Sequence, residues 1–395
     1  MSGFDISGGR VLYRNQIRDL SVAVAGGQVA AIDAGTGLGL AALDAGDLLV
    51  LPGIIDIHGD AFERQMMPRP GVDFPIDVAL ADSDRQAIGN GITTVFHATT
   101  WSWEPGLRSG ANAERLLSAI ETMRPHLAAD TRFHLRHETY NLKAEATIKQ
   151  WIAAGRIDLL AFNDHTDLAS MEKPAKRARM VERSGVSHDE FDRIVAEVSA
   201  RHHEVPGSVA RLAEAARAAR LTMLSHDDDT PELRQAFRAQ GVTIAEFPVN
   251  EETAREAAQG GDFIVFGAPN VVRGGSHTGW TKASDMIAKG LCSVLASDYY
   301  YPAPLLAAFR LAADGVLALP QAWALVSAGP AAATGLTDRG EIAVGRRADI
   351  VLVDDRVALR PRVIAVISGG RLVHLTDADR LVGTQSARRA ALANA

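Results

Sequence analysis

One cysteine, Cys292, stands among 395 residues, so no internal disulfide can form and a reducing compartment is expected. Also missing is any apolar run of membrane-spanning length. The opening residues, Met1-Ser2-Gly3-Phe4-Asp5, lack the basic-then-apolar order of a secretory leader. A cytoplasmic protein with no membrane partner is therefore expected. Basic excess is absent too: Lys and Arg number 41 against 48 Asp and Glu, a formal charge of -7. A general nucleic-acid binder needs a basic surface to displace counterions from phosphates, so no nucleic-acid partner is expected. Any anionic ligand must instead meet a local cluster of cations. No strand-like segment runs into a Gly-x-Gly-x-x-Gly turn, which leaves an open dinucleotide-binding sheet without support.

What is present is an ordinary globular composition, 47% hydrophobic and 23% charged, long enough to bury a large core. Short alternating segments fill positions 11–51, and similar ones return at 348–353 and 363–373 with a Gly369-Gly370 hairpin turn. Each end is too small to bury a core alone, so residues 1–50 and 341–380 are expected to join as one small β-sandwich domain. Between them, over 51–340, strand-like runs alternate with helical ones. The strands read as 49–60, 91–97, 132–138, 158–165, 221–226, 242–247, 263–268 and 291–298, and helices read as 113–127, 144–154, 209–219, 231–239, 251–258 and 282–289. Asp229-Thr230-Pro231-Glu232 has the form of a capped helix start. Eight such units predict the α/β class, a TIM-like (β/α)8 barrel. The charged stretch 172–206 exceeds one crossover and reads as a helical insertion above the barrel mouth, and 381–395 reads as a tail.

The chemistry lies at the strand ends. Leu51-Pro52-Gly53-Ile54-Ile55-Asp56-Ile57-His58-Gly59-Asp60 is an apolar strand ending in imidazole and carboxylate two residues apart, hence on one face. Later strands end on His97, His137 and Glu138, Asp164 and His165, His226 and Asp227, and Asp298. Barrel enzymes build sites from such ends, and these donors suit divalent ions, expected to number two, of zinc, manganese or iron. The expected ligands are His58 and Asp60 for one ion, His165 and His226 for the other, Glu138 as the bridge, and Asp298 as ligand or as proton acceptor for the attacking water. No lysine occupies a strand end, so a carbamylated lysine is not available as the bridge. His97 is read as a substrate contact, and His134 as a partner of a ligand. After the seventh strand, Arg273-Gly274-Gly275-Ser276-His277 combines a guanidinium with a glycine-rich turn of the kind that holds phosphate. Arg64 and Arg69 add two cations at the same rim, pointing to a multiply charged small-molecule phosphate.

The order of sheet, barrel and sheet with strand-end donors resembles the amidohydrolase superfamily. Within it, Pro68-Arg69-Pro70, Gly91-Ile92-Thr93-Thr94-Val95, Ser225-His226-Asp227-Asp228, Ala245-Glu246-Phe247-Pro248, the segment from Gly267 through Arg273 to His277, and Ser297-Asp298-Tyr299-Tyr300 are similar to one family. That family is the alpha-D-ribose 1-methylphosphonate 5-triphosphate diphosphatases of the carbon-phosphorus lyase pathway. The resemblance implies metal-dependent hydrolysis of an alpha-beta phosphoanhydride, with the 5-phosphate and pyrophosphate as products. It also implies functional association with other proteins of that pathway, and it leaves a homo-oligomer open. Ala61 stands where the family has Asn, and His137 where it has Cys. The alternatives are an amidohydrolase cleaving a C-N bond of a small anionic substrate, as a deaminase or cyclic amidase would, and an idle binding member of a pathway assembly.

Overall fold

A computed structural model describes residues 3–33, 41–69, 71–164, 166, 174–275, 281–357 and 359–382. Its strands are β1 (Phe4–Tyr13), β2 (Gln16–Ala25), β3 (Gln28–Ile32), β4 (Ala41–Asp44), β5 (Leu49–Pro52), β6 (Ile54–Gly59), β7 (Ile92–Trp101), β8 (Asp130–Glu138), β9 (Leu159–Asn163), β10 (Met223–His226), β11 (Ile244–Glu246), β12 (Phe263–Gly267), β13 (Val294–Ala296), β14 (Ile350–Asp354), β15 (Arg362–Ser368), β16 (Arg371–Leu375) and β17 (Leu381–Val382). They form two sheets. One runs β6 to β13 in chain order with every pairing parallel, and the other is a mixed sheet in the order β16-β15-β14-β5-β1-β2-β3, with β4 on β1 and β17 on β4.

The two chain ends meet as the composition requires. β14 pairs antiparallel with β5, so the last third of the chain is hydrogen-bonded into the first. Ile6, Val11, Val22, Val50, Ile350 and Leu352 form one face of buried apolar residues that neither end could cover alone. The sequence reads 49–60 as one strand, but the chain breaks it at Gly53 and passes from the mixed sheet to the barrel. A Cβ on Gly53 would come within 2.2 Å of Thr93 Oγ1, so only glycine allows the crossing at this point.

The barrel is closed by a parallel bridge between Gly59 and Asp298, where Asp298 N–H donates to His58 O (2.8 Å) and Asp60 N–H to Asp298 O (3.0 Å). Directly beneath the seam, buried Asp56 on β6 accepts from Ser297 N–H (2.9 Å) and Oγ–H (2.5 Å). Strands one and eight are thus locked together next to the residues that carry chemistry. Helices including Ile76–Gly89, Gly110–Met123, Glu145–Ala153, Val205–Ala218, Pro231–Ala239, Glu251–Gln259 and Ala303–Ala313 alternate with the strands. Thr230 caps the fifth of these as its sequence indicates, accepting from Leu233 N–H at 3.2 Å, with Pro231 at the first helical position.

The charged insertion contributes two helices, Pro174–Ser184 and His188–Ala200. Their apolar side, Met180, Val181 and Phe191, packs against Trp103 in the loop after β7, and Trp103 Nε1 donates to Thr166 Oγ1 at 2.9 Å. No helix among the described residues is long and apolar enough to cross a membrane.

Trp323, fully buried in the helix Leu319–Ala324, ties the two sheets together by donating from Nε1 to Pro52 O at 3.0 Å. Trp323→Ala is expected to cost about 3–5 kcal/mol of stability, measured by urea unfolding, because it opens a large cavity and orphans that carbonyl. A loss below about 1 kcal/mol would contradict this role.

Candidate metal centre

Glu246 is the last residue of β11, and its carboxylate is wholly buried between two imidazoles. Oε1 lies 2.7 Å from Nδ1 of His58 on β6, and Oε2 accepts from Nδ1 of His226 on β10 at 2.8 Å. The two rings stack with centroids 5.5 Å apart, and Phe247 packs its edge against both. Burial by itself would push the Glu246 carboxyl up, but His58 and His226 hold it well below the usual carboxylate range. Burial likewise opposes charge on His58, which Glu246 overcomes to raise its pKa. For His226 burial prevails and its pKa falls. A carboxylate at Nδ1 of each ring leaves Nε2 as the remaining nitrogen, the arrangement by which proteins orient metal-binding histidines.

In front of His58, Asp60 and Asp298 complete a trio whose ligand atoms lie within 4.8 Å of one another. A second trio, His58, His134 and Glu246, is equally close but fully buried. Nitrogen and carboxylate oxygen are donors that zinc, manganese and iron accept, so the residues present fit a divalent ion. The outer trio is the one that opens to solvent. His58 and Asp298 line a cavity of about 230 Å³ together with Arg136, His226, Asp227, Phe247 and Tyr299.

Three lining residues, Asp227, Phe247 and Asp298, follow β10, β11 and β13 with φ of 60°, 58° and 54°. Left-handed backbone is uncommon for such side chains, and its concentration at one rim marks strain held by the surrounding structure. Burial, reinforced by the Asp60 charge, pushes the Asp298 carboxyl up to about 7. His134 is held by Ile57 O (2.9 Å at Nδ1) and is kept neutral by burial, its pKa lowered to about 3.

The expected residues fall into distinct places. His58, Asp60, His226 and Asp298 converge on the mouth. Glu138 ends β8 opposite Asn163, beyond Arg136 on the same strand, and it belongs to neither trio. His97 is buried against Phe62 (5.1 Å), neither ring nitrogen is hydrogen-bonded among the described residues, and burial lowers its pKa to about 4. His165, Ser276 and His277 lie outside the described residues. Arg64 and Arg273 both reach Tyr299, the first over its ring at 5.9 Å and the second donating to its hydroxyl at 3.4 Å. Arg69 is exposed on a turn with Val72. The stretch expected to be a phosphate loop begins as a short helix, Ala268–Arg273, which Gly274 ends in the left-handed region at φ 81°. Gly275 follows it.

Two functional residues escape the sequence reading. Glu246 is visible there as a carboxylate closing an apolar segment, and Arg136 as the inward neighbour of His134. On sequence the bridging carboxylate falls to Glu138, and neither Glu246 nor Arg136 receives a role.

A profile described as Amidohydrolase family matches residues 49–373. Alpha-D-ribose 1-methylphosphonate 5-triphosphate diphosphatase of Escherichia coli (strain K12) is 33% identical over 360 residues, covering 87% of this chain and 93% of its own. Among solved structures, the D-hydantoinase of Bacillus sp. AR9 superimposes with a TM-score of 0.64 at 15% identity, covering 96% of both chains. Molinate hydrolase superimposes with 0.63 at 14%, covering 94% of both. At these identities the two superpositions speak to the barrel and its flanking sheet.

The Asp298 shift has a consequence for stability without metal. Because its folded pKa exceeds that of an unfolded carboxyl, the folded state holds the proton more tightly, and that contribution is lost as pH rises toward and through about 7. Chelator-treated Asp298→Asn should therefore gain thermal stability relative to the parent as pH increases from about 4 to 8. A difference in melting temperature that stays constant across that range would refute the shift.

Proposed function

This chain belongs to the amidohydrolase family, together with the E. coli diphosphatase, and from that premise we propose that it hydrolyses alpha-D-ribose 1-methylphosphonate 5-triphosphate. Water cleaves the anhydride between the alpha and beta phosphates and leaves the 5-phosphate and pyrophosphate, a step in phosphonate catabolism. The observation that carries this reading is the arrangement of cations around the carboxylate-imidazole trio. Arg136 lines the cavity, while Arg64 and Arg273 converge on Tyr299, the residue next to Asp298.

His58, Asp60 and Asp298 would hold a divalent ion. When bound there, such an ion neutralises phosphoryl charge and makes water more acidic. Asp298, with its pKa near neutrality before any ion binds, is the group placed to receive a proton from the attacking water. Glu246 fixes the ring orientation of His58 and His226. Arg64 and Arg273 bind the beta and gamma phosphates at the rim, where a guanidinium fork matches phosphate oxygens, and Arg69 extends that rim. The sequence assigns His97, Gly274, Gly275, Ser276 and His277 to substrate binding as well. The second ion that the sequence leads one to expect, at His165 and His226 with Glu138 as the bridge, is not part of this reading, because Glu138 belongs to neither trio and His165 lies outside the described residues.

The second reading is a C-N bond hydrolase, a deaminase or cyclic amidase acting on a small anionic substrate. It gives no reason for three arginines at the mouth. The two separate in one assay: metal-loaded protein is incubated with a ribose 5-triphosphate and with cyclic amides, and pyrophosphate and ammonia are measured. Pyrophosphate release from the triphosphate is expected. Ammonia without pyrophosphate would remove the diphosphatase reading.

A further inference from the structure

Arg136 lies on β8, two residues beyond His134 on the same face, and only 4% of it is exposed. Its Nη2 donates to Nε2 of His226 at 3.1 Å, and Nη1 lies 3.5 Å from Asp60 Oδ2. The tautomer of His226 is fixed from both sides. Nδ1 donates to Glu246, so Nε2 is the atom with a lone pair, and an arginine N–H takes it up. That lone pair is the one a metal would need.

We propose that the Arg136 guanidinium stands as a fixed cation in the place of a second divalent ion, so that the chain holds one ion, at His58, Asp60 and Asp298. The inference rests on the metal site assigned above and narrows it. Three observations carry it. The guanidinium occupies His226 Nε2, the donor a second ion would take from β10. It is in contact with Asp60, so a doubly charged neighbour beyond the first ion would sit within a few ångströms of a positive charge. And it lines the cavity with His58, His226 and Asp298, where a ligand of opposite charge would meet it beside the Asp60 carboxylate. A phosphoryl oxygen of the substrate is such a ligand, so Arg136 would neutralise charge on the anhydride.

The test is stoichiometry. Full-length protein is stripped with chelator, titrated with Mn²⁺ or Zn²⁺ by calorimetry, and the bound metal is counted after dialysis. The parent should bind one ion per chain, and Arg136→Lys, which keeps a positive charge, should also bind one. Arg136→Met removes the charge at similar volume and frees His226, so it should bind two. His226→Asn in the parent background should leave the single ion bound, whereas Asp60→Asn should weaken it by tenfold or more. Two ions on the parent would overturn this inference and leave the metal site standing. No ion on the parent would overturn both. One ion on a folded Arg136→Met would overturn the claim that the guanidinium excludes the second, and should that variant fail to fold, the parent and Arg136→Lys counts still decide.

Discussion

The site depends on one buried carboxylate. Glu246 sits at the end of a three-residue strand with no access to water, and its charge persists there because two imidazoles from other strands contact it. An unpaired carboxylate at that depth would be protonated, and a protonated one would orient neither ring. The same contact that stabilises Glu246 therefore engages Nδ1 of both His58 and His226, two rings that line the mouth. Strands one, five and six of the barrel are coupled through a single side chain, and the surface at their ends inherits its geometry from that coupling.

The seam between strands one and eight performs the matching task on the other side. Gly59 and Asp298 exchange the bridge that closes the sheet, and Asp56 beneath them binds the backbone and hydroxyl of Ser297. A Cβ on Gly59 would approach Asp56 Oδ2 to 2.6 Å, so the close packing at this position leaves no room for a side chain. His58, Asp60 and Asp298 are consequently fixed by the closure itself and by Glu246, not by loops. Loops supply the outer ring, where Arg64 and Arg273 meet on Tyr299 and can adapt to a polyanion.

Much of this was legible in the sequence for physical reasons. Strands buried on both faces are short continuous apolar runs, and all eight barrel strands fall within or overlap the segments so marked. Period-two alternation puts His58 and Asp60 on one side, and their ligand atoms lie within 4.8 Å of each other. The same rule put His134, Arg136 and Glu138 on one face of β8 but could not say which of the three would meet the centre, since that depends on depth and side-chain length. Arg136, the longest, reaches His226 and Asp60. Glu246 went unassigned because its partners come from strands 20 and 188 residues away in sequence, a juxtaposition no local pattern encodes. The strand break at Gly53 was hidden for a similar reason: it is required by Thr93, a residue of the neighbouring strand.

Whether Glu246 governs the centre can be measured directly. Glu246→Gln keeps the volume and removes the charge, so the barrel should stay folded by circular dichroism while affinity for Zn²⁺ or Mn²⁺ falls by roughly 10–100-fold, the range seen when the group orienting a ligand is lost. A folded variant that binds the ion as tightly as the parent would show that the imidazoles are oriented without the buried carboxylate, and would contradict its central role.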